Sequence, residues 1–93
     1  MSVATPETNS DVTIFYADWC PFCRKLRERL DRTETPYDVA NVDAGGMDEV
    51  NEWIKSVNDG NRIIPTVLYS DGTHETNPPA SSVRNKQKEL AES

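Results

Sequence analysis

Long apolar runs are missing from this sequence: no stretch approaches the roughly 20 consecutive apolar residues of a membrane-spanning helix, so no membrane association is expected. An excess of positive charge is missing as well. Ten Lys and Arg stand against sixteen Asp and Glu, giving a formal charge of -6 and a pI near 4.6, a balance that argues against a nucleic-acid partner. Cysteine occurs only at Cys20 and Cys23, too few and too close together for the disulfide framework of a small secreted domain. Histidine occurs once, as His74, so a structural zinc lacks its four ligands within one chain and no metal is expected. Residues 1–11 have neither the basic n-region nor the apolar h-region of a secretory signal, which predicts a cytoplasmic protein. A thiol pair in a reducing compartment calls for an explanation in chemistry rather than in stapling.

What is present fits one compact domain over 12–93, preceded by a flexible polar tail over 1–11. Val12 to Ala17 is apolar nearly throughout and rich in β-branched and aromatic residues, as expected of a strand covered on both faces. Asp18-Trp19-Cys20 turns out of it, and Pro21 suits the first turn of a helix, where its missing N–H is not needed. Phe22, Cys23, Leu26 and Leu30 form the apolar stripe of that helix, predicted to end near Arg32. Thr35-Pro36 breaks it, and residues 37–43 alternate like a strand, with Tyr37, Val39 and Val42 expected to point inward. A strand–helix–strand unit of this kind predicts a parallel crossover.

Val50, Trp53, Ile54 and Val57 fall at i, i+3, i+4 and i+7, predicting a second helix over 47–58, with Gly60 as its stop. A strand starts at Pro65 or Thr66 and runs to Tyr69, because proline belongs at a strand's first residue or edge. Ser70-Asp71-Gly72-Thr73 reads as a hairpin turn into a short edge strand ending at Thr76. Asn77 is positioned to cap a last helix with Pro78 at its first position and Val83, Gln87 and Leu90 inside. The predicted order is β-α-β-α-β-β-α, an α/β fold.

A Cys-x-x-Cys pair where a strand meets a helix puts its first sulfur at the helix N-terminus, where unpaired N–H groups and the dipole favour a thiolate. Cys20 is therefore the candidate nucleophile. Cys23, one turn on and less exposed, is the candidate resolving thiol. Arg24 and Lys25 add positive potential nearby, weakened by solvent screening. Two small buried hydrophobes are the bland alternative for such a pair, and the strand, turn and Pro21 around it speak against that. Trp19 is either a core aromatic or a flat wall beside the thiol; Phe22 faces the same choice and is placed partly exposed over the site. Half of the ten basic residues lie on the first helix, read first as a solvated face, with an acidic docking surface as the alternative. His74 is read as an exposed strand residue, since thiol exchange needs no histidine. Ile64-Pro65 is either a plain strand-start proline or a cis bond.

Trp19-Cys20-Pro21-Phe22-Cys23 after a strand, then Ile64-Pro65-Thr66-Val67 about forty residues later, resembles the glutaredoxin branch of the thioredoxin fold. The resemblance spans Val12 to Leu90 and implies a four-stranded mixed sheet flanked by helices, and an enzyme that exchanges disulfides between proteins and a small thiol. It also implies that Ile64-Pro65 is cis and faces the thiol, leaving the Ile64 backbone to pair with an extended substrate. Glutathione-using relatives carry a lysine three residues before the first cysteine, where this chain has Ala17, and a Gly-Gly pair opening the last helix, where it has Pro78 and Pro79. The first charge clamp is thus missing, and because prolines donate no N–H the second is weakened as well.

Asn61 to Val67 and Thr76-Asn77-Pro78 are similar to the corresponding segments of mycoredoxins, the glutaredoxin-like proteins of actinobacteria. That similarity implies mycothiol, a thiol without free carboxylates, as co-substrate with no tightly bound cofactor. The implied cycle reduces mycothiolated protein disulfides through Cys20 alone, mycothiol leaving or being transferred to Cys20, and mycothiol with mycothiol disulfide reductase and NADPH restoring the thiol. Cys23 would then be dispensable. Trp19, Pro21, Phe22, Ile64, Pro65, Asn77 and Pro78 are the implied binding residues.

Three rivals remain open. A dithiol donor to an enzyme such as ribonucleotide reductase, recharged by thioredoxin reductase, would need both cysteines. An iron–sulfur module would hold a cluster between Cys20 of two chains and two external thiols, which the stiffening Pro21 disfavours. A redox-inert adaptor is the third. A small acidic chain without an evident apolar strip is expected to be a monomer.

Overall fold

A computed structural model of the chain describes residues 4–92. The elements follow in the order β1 (Val12–Tyr16), α1 (Pro21–Arg32), β2 (Asp38–Asn41), α2 (Asp48–Val57), β3 (Thr66–Tyr69), β4 (His74–Thr76) and α3 (Ala80–Glu92). The two most apolar runs take the centre of a four-stranded mixed sheet ordered β2-β1-β3-β4. β1 lies parallel to β2, pairing Ile14 with Val39, and antiparallel to β3, pairing Ile14 with Val67; β3 and β4 form the expected hairpin. Gly72 supplies the turn's positive φ of 89°, and the Asp71 carboxylate accepts from the Thr73 N–H and hydroxyl.

The two-residue period of the central strands divides the core between the faces of the sheet. Val12, Ile14, Val67 and Tyr69 meet Leu26, Leu30 and Val83 from α1 and α3. Phe15, Ala17 and Leu68 meet Trp53 and Ile54 of α2, with Val42. Each large side chain so buried contributes about 1.5–3 kcal/mol. Leu90 also packs on the first group, and Gln87 is half-buried. Behind β3 and β4 the Tyr69 hydroxyl donates to Glu75 at 2.9 Å, Ser82 donates to the same carboxylate, and Lys86 pairs with Asp71 at 2.7 Å, pinning α3 to the hairpin. Burial, then the Glu75 carboxylate, pushes the Tyr69 phenol up.

Both long connections leave their helices through a left-handed residue. Glu34, at φ 55°, lets the Thr35 N–H reach the Leu30 carbonyl, and Asp59, also at φ 55°, lets the Gly60 N–H reach that of Lys55. The stop after α2 is thus made by Asp59 together with the expected Gly60.

Three expectations need correction. Val39 is not buried in the core: on the edge strand β2 it stays 40% exposed. Tyr37 and Val42 do turn inward, but from either side of a strand only four residues long. Asn77 does not cap α3, and Pro78 is not its first residue. The ring of Pro79 disfavours helical geometry at Pro78, so the helix begins at Ala80 and the Pro79 carbonyl accepts its first N–H bonds, from Ser82 and Val83. Asn77 instead takes φ 47° and donates its N–H to the Pro65 carbonyl at 2.7 Å.

Of the residues expected to form a tail, the first three lie outside the described ones, and 4–11 hold no helix or strand. Asp11 is tied to Ser70, whose N–H and hydroxyl both donate to it. Among the described residues no helix is long and apolar enough to cross a membrane.

The unequal burial of paired residues in β1 and β2 sets a stability contrast. Ile14→Ala should cost about 2–5 kcal/mol, whereas Val39→Thr should stay within about 0.5 kcal/mol. Urea midpoints at pH 7 measure both, and similar losses at the two positions would contradict the edge assignment.

Candidate active site

β1 ends against the first turn of α1, and that junction places the thiols. Cys20 is the N-cap, with extended φ and ψ of -86° and 111°, and its N–H donates to Ala17. Pro21 occupies the first helical turn. The Cys23 N–H donates to the Cys20 sulfur at 3.2 Å, so the sulfur stands where a serine or aspartate oxygen usually caps a helix. An anion at this point is favoured by the N-terminal N–H groups.

Both cysteines are free thiols and both are buried, Cys20 at 3% and Cys23 at 1% exposure. Burial first, and then its hydrogen bond to Cys20, push the Cys23 thiol up to about 12. Cys23 therefore remains a neutral S–H across the physiological range. Because its folded-state value lies above the ordinary one, the neutral thiol adds stability below the ordinary thiol value that is lost as pH climbs towards 12.

Across from the thiols the Ile64-Pro65 peptide bond is cis, and the Cys20 S–H points to the Ile64 carbonyl at 3.9 Å. Pro65 is buried and Ile64 partly so. The loop is fixed from both sides: the buried Thr66 hydroxyl donates to the Ile63 carbonyl at 2.7 Å, and Asn77 holds the Pro65 carbonyl. Asn58 joins in, since its amide donates to the Ile54 carbonyl and its oxygen accepts from Thr76 at 2.6 Å.

Trp19 and Phe22 are the most exposed large apolar side chains described, at 64% and 58%. Trp19 is therefore not a core aromatic. Its indole N–H donates to Asp43 at 2.8 Å, and the other oxygen of Asp43 meets Arg62 at 3.2 Å. Asp43 and Arg62 were not singled out from the sequence. The parallel register of β1 and β2 could have found Asp43: it brings Tyr16 beside Asn41, so the residues just past each strand, Trp19 and Asp43, end up together.

A groove of about 230 Å³ opens beside this turn, with Phe22 and Leu26 on one wall and Asn77, Pro78 and Pro79 on the other. It brings Phe22, Asn77 and Pro78 together, while Trp19 stands apart with Asp43. The side chains of Arg24 and Lys25 are exposed, and Arg27 lies over the Tyr16 ring at 4.9 Å. His74 is exposed and sets its ring edgewise on Trp53. Among the described residues no group of three or more His, Cys, Asp or Glu is placed to hold a metal ion.

The sequence pattern of the glutaredoxin family matches residues 12–75. Mycoredoxin 1 of Corynebacterium glutamicum is 57% identical over 82 residues, covering 88% of this chain and 99% of that protein. Among solved structures, a glutaredoxin of Archaeoglobus fulgidus superposes with a TM-score of 0.64 at 23% identity, covering 82% of this chain and 84% of that one. Wheat glutaredoxin gives 0.63 at 20%, covering 89% and 77%. At these identities the two structures speak for the fold alone.

The two thiols should separate under alkylation. At pH 8 a thiol titrating near 12 is about one part in ten thousand thiolate, so iodoacetamide should label Cys20 and leave Cys23 unmodified until the protein is denatured. Peptide mass spectrometry over a time course reads both sites, and labelling of Cys23 at an equal or greater rate would be inconsistent with this site.

Proposed function

The chain belongs to the glutaredoxin family, on its mycoredoxin branch, and from that membership we propose that it removes mycothiol from mycothiolated proteins by a cycle run through Cys20 alone. Thiol–disulfide exchange is the chemistry of the family; the choice of mycothiol rests on the groove.

The observation that carries this choice is the absence of free main-chain donors along residues 77–79. Pro78 and Pro79 have no N–H, and the N–H of Asn77 is already bonded to the Pro65 carbonyl. Ala17, buried behind the thiols, brings no cation. The wall at 77–79 therefore offers a carboxylate no main-chain donor and suits a thiol that carries a sugar there: Phe22 and Pro79 offer apolar surface and the Asn77 side chain can meet hydroxyl groups, while the cations of the groove, Lys25 and Arg29, stand on the α1 side. Trp19 extends the surface on the other side of Cys20, while Pro21 and Pro65 shape its two flanks.

In the first step the Cys20 thiolate attacks the mycothiol sulfur of the mixed disulfide. A Cys20–mycothiol bond forms, the bond to the protein sulfur breaks, and the protein leaves as a thiolate that takes a proton from water. The Ile64 backbone, beside the Cys20 sulfur, pairs with the extended chain of the departing protein. In the second step another mycothiol thiolate attacks the mycothiol sulfur on Cys20 and restores the Cys20 thiolate, releasing mycothiol disulfide. Mycothiol disulfide reductase returns that product to two thiols with two electrons from NADPH. Cys23, held neutral, is a poor attacker, and its disulfide with Cys20 is a side branch. The working unit is 12–93, acting in the cytoplasm as a monomer.

NADPH consumption on a mycothiol mixed disulfide tests this. With mycothiol and its reductase, Cys23→Ser should keep activity within about twofold of wild type and Cys20→Ser should have none. Glutathione with glutathione reductase should support at most a few per cent of the rate. Turnover with thioredoxin reductase alone, abolished by Cys23→Ser, would make the protein a dithiol donor instead.

A further inference from the structure

The basic side chains that mark α1 are not spread evenly around it. Lys25, Arg29 and Arg32 stand at i, i+4 and i+7, one stripe of the helix, and that stripe borders the seam with α3. Beyond the groove beside Phe22 a second hollow of about 230 Å³ continues along the seam, lined by Arg29, Arg32, Thr33, Ala80, Ser81 and Arg84. Arg29 and Ala80 belong to both hollows, so the two form one trough. No carboxylate lines either part.

Four cations thus face a single trough on a chain whose formal charge is -6. Among the described residues the ion pairs are Lys55 with Glu52, Arg62 with Asp43 and Lys86 with Asp71, none of which neutralises the trough. Thr33 and Ser81 supply hydroxyl donors alongside.

We propose that the outer part of this trough docks an acidic stretch of the protein whose disulfide is exchanged at Cys20. The proposal rests on the thiol-exchange reading and names its substrate class: proteins with carboxylates near the modified cysteine. From Cys20 to Arg32 is about 18 Å along the helix, which an extended chain spans in about five or six residues. The inner part, beside Phe22 and Pro78, keeps the small thiol. The acidic remainder of the surface repels partners that approach elsewhere, so the trough also orients the encounter.

Two cysteine-free, fluorescein-labelled peptides, one rich in Glu and the other its Gln counterpart, test the docking by anisotropy on the full chain. The acidic peptide should bind about tenfold more tightly in low salt, and the advantage should shrink as ionic strength rises. Arg32→Gln with Arg84→Gln should abolish it, yet leave turnover of a Gln-flanked mycothiol mixed disulfide unchanged. Lys55→Gln with Arg62→Gln, the same change in net charge away from the trough, should preserve the advantage. Equal binding of the peptides, an advantage surviving in the arginine variant, one lost equally in the lysine control, or equally tight binding of a short RNA would each overturn the proposal. If mycothiol supports no turnover of the Gln-flanked mixed disulfide while the anisotropy contrast holds, the thiol choice fails and the docking surface stands.

Discussion

One bond organises the site: the Cys23 N–H to the Cys20 sulfur, at the point where β1 gives way to α1. A helix begins with N–H groups that lack partners, and here the first of them to be satisfied by a side chain is satisfied by sulfur. The consequences run in two directions. Cys20 sits where an anion is welcome, and Cys23 is carried by the helical turn into the protein behind it, where the same sulfur and the lack of water keep its own proton on. A single turn of helix thereby places two identical side chains in different surroundings.

The rest of the fold serves to hold that turn against the Ile64-Pro65 loop. Ile14 pairs with Val67, which fixes β1 beside β3, and β3 begins immediately after the cis peptide. The loop therefore arrives opposite Cys20 as a result of sheet register, and Thr66, Asn77 and Asn58 then remove its remaining freedom. Trp19 is held in a comparable way, by Asp43 from the neighbouring strand's end. Both arrangements depend on strands whose termini lie side by side.

Legibility in the sequence followed the strength of local signals. Val12 to Tyr16 and Thr66 to Tyr69 were readable because a central strand has no polar face, and α1 and α2 because their apolar stripes keep helical spacing. The pairing of Cys20 with Cys23 came from that same strand-to-helix junction. Edges were harder. Val39 looked inward by alternation, but whether an alternating residue is covered depends on what packs over it, which its neighbours in sequence do not encode. Asn77 had the residue type of a cap, and the second proline moved the helix start by two positions. The bond from Trp19 to Asp43 crosses 24 residues and lay beyond any local pattern. The cis bond before Pro65 was legible only through family resemblance.

The bond from the Asn77 N–H to the Pro65 carbonyl ties the wall of the groove to the loop that faces the sulfur. The donor is a main-chain N–H, so most side-chain changes at 77 leave the bond in place, whereas proline there would remove the donor and release the wall and the loop from one another.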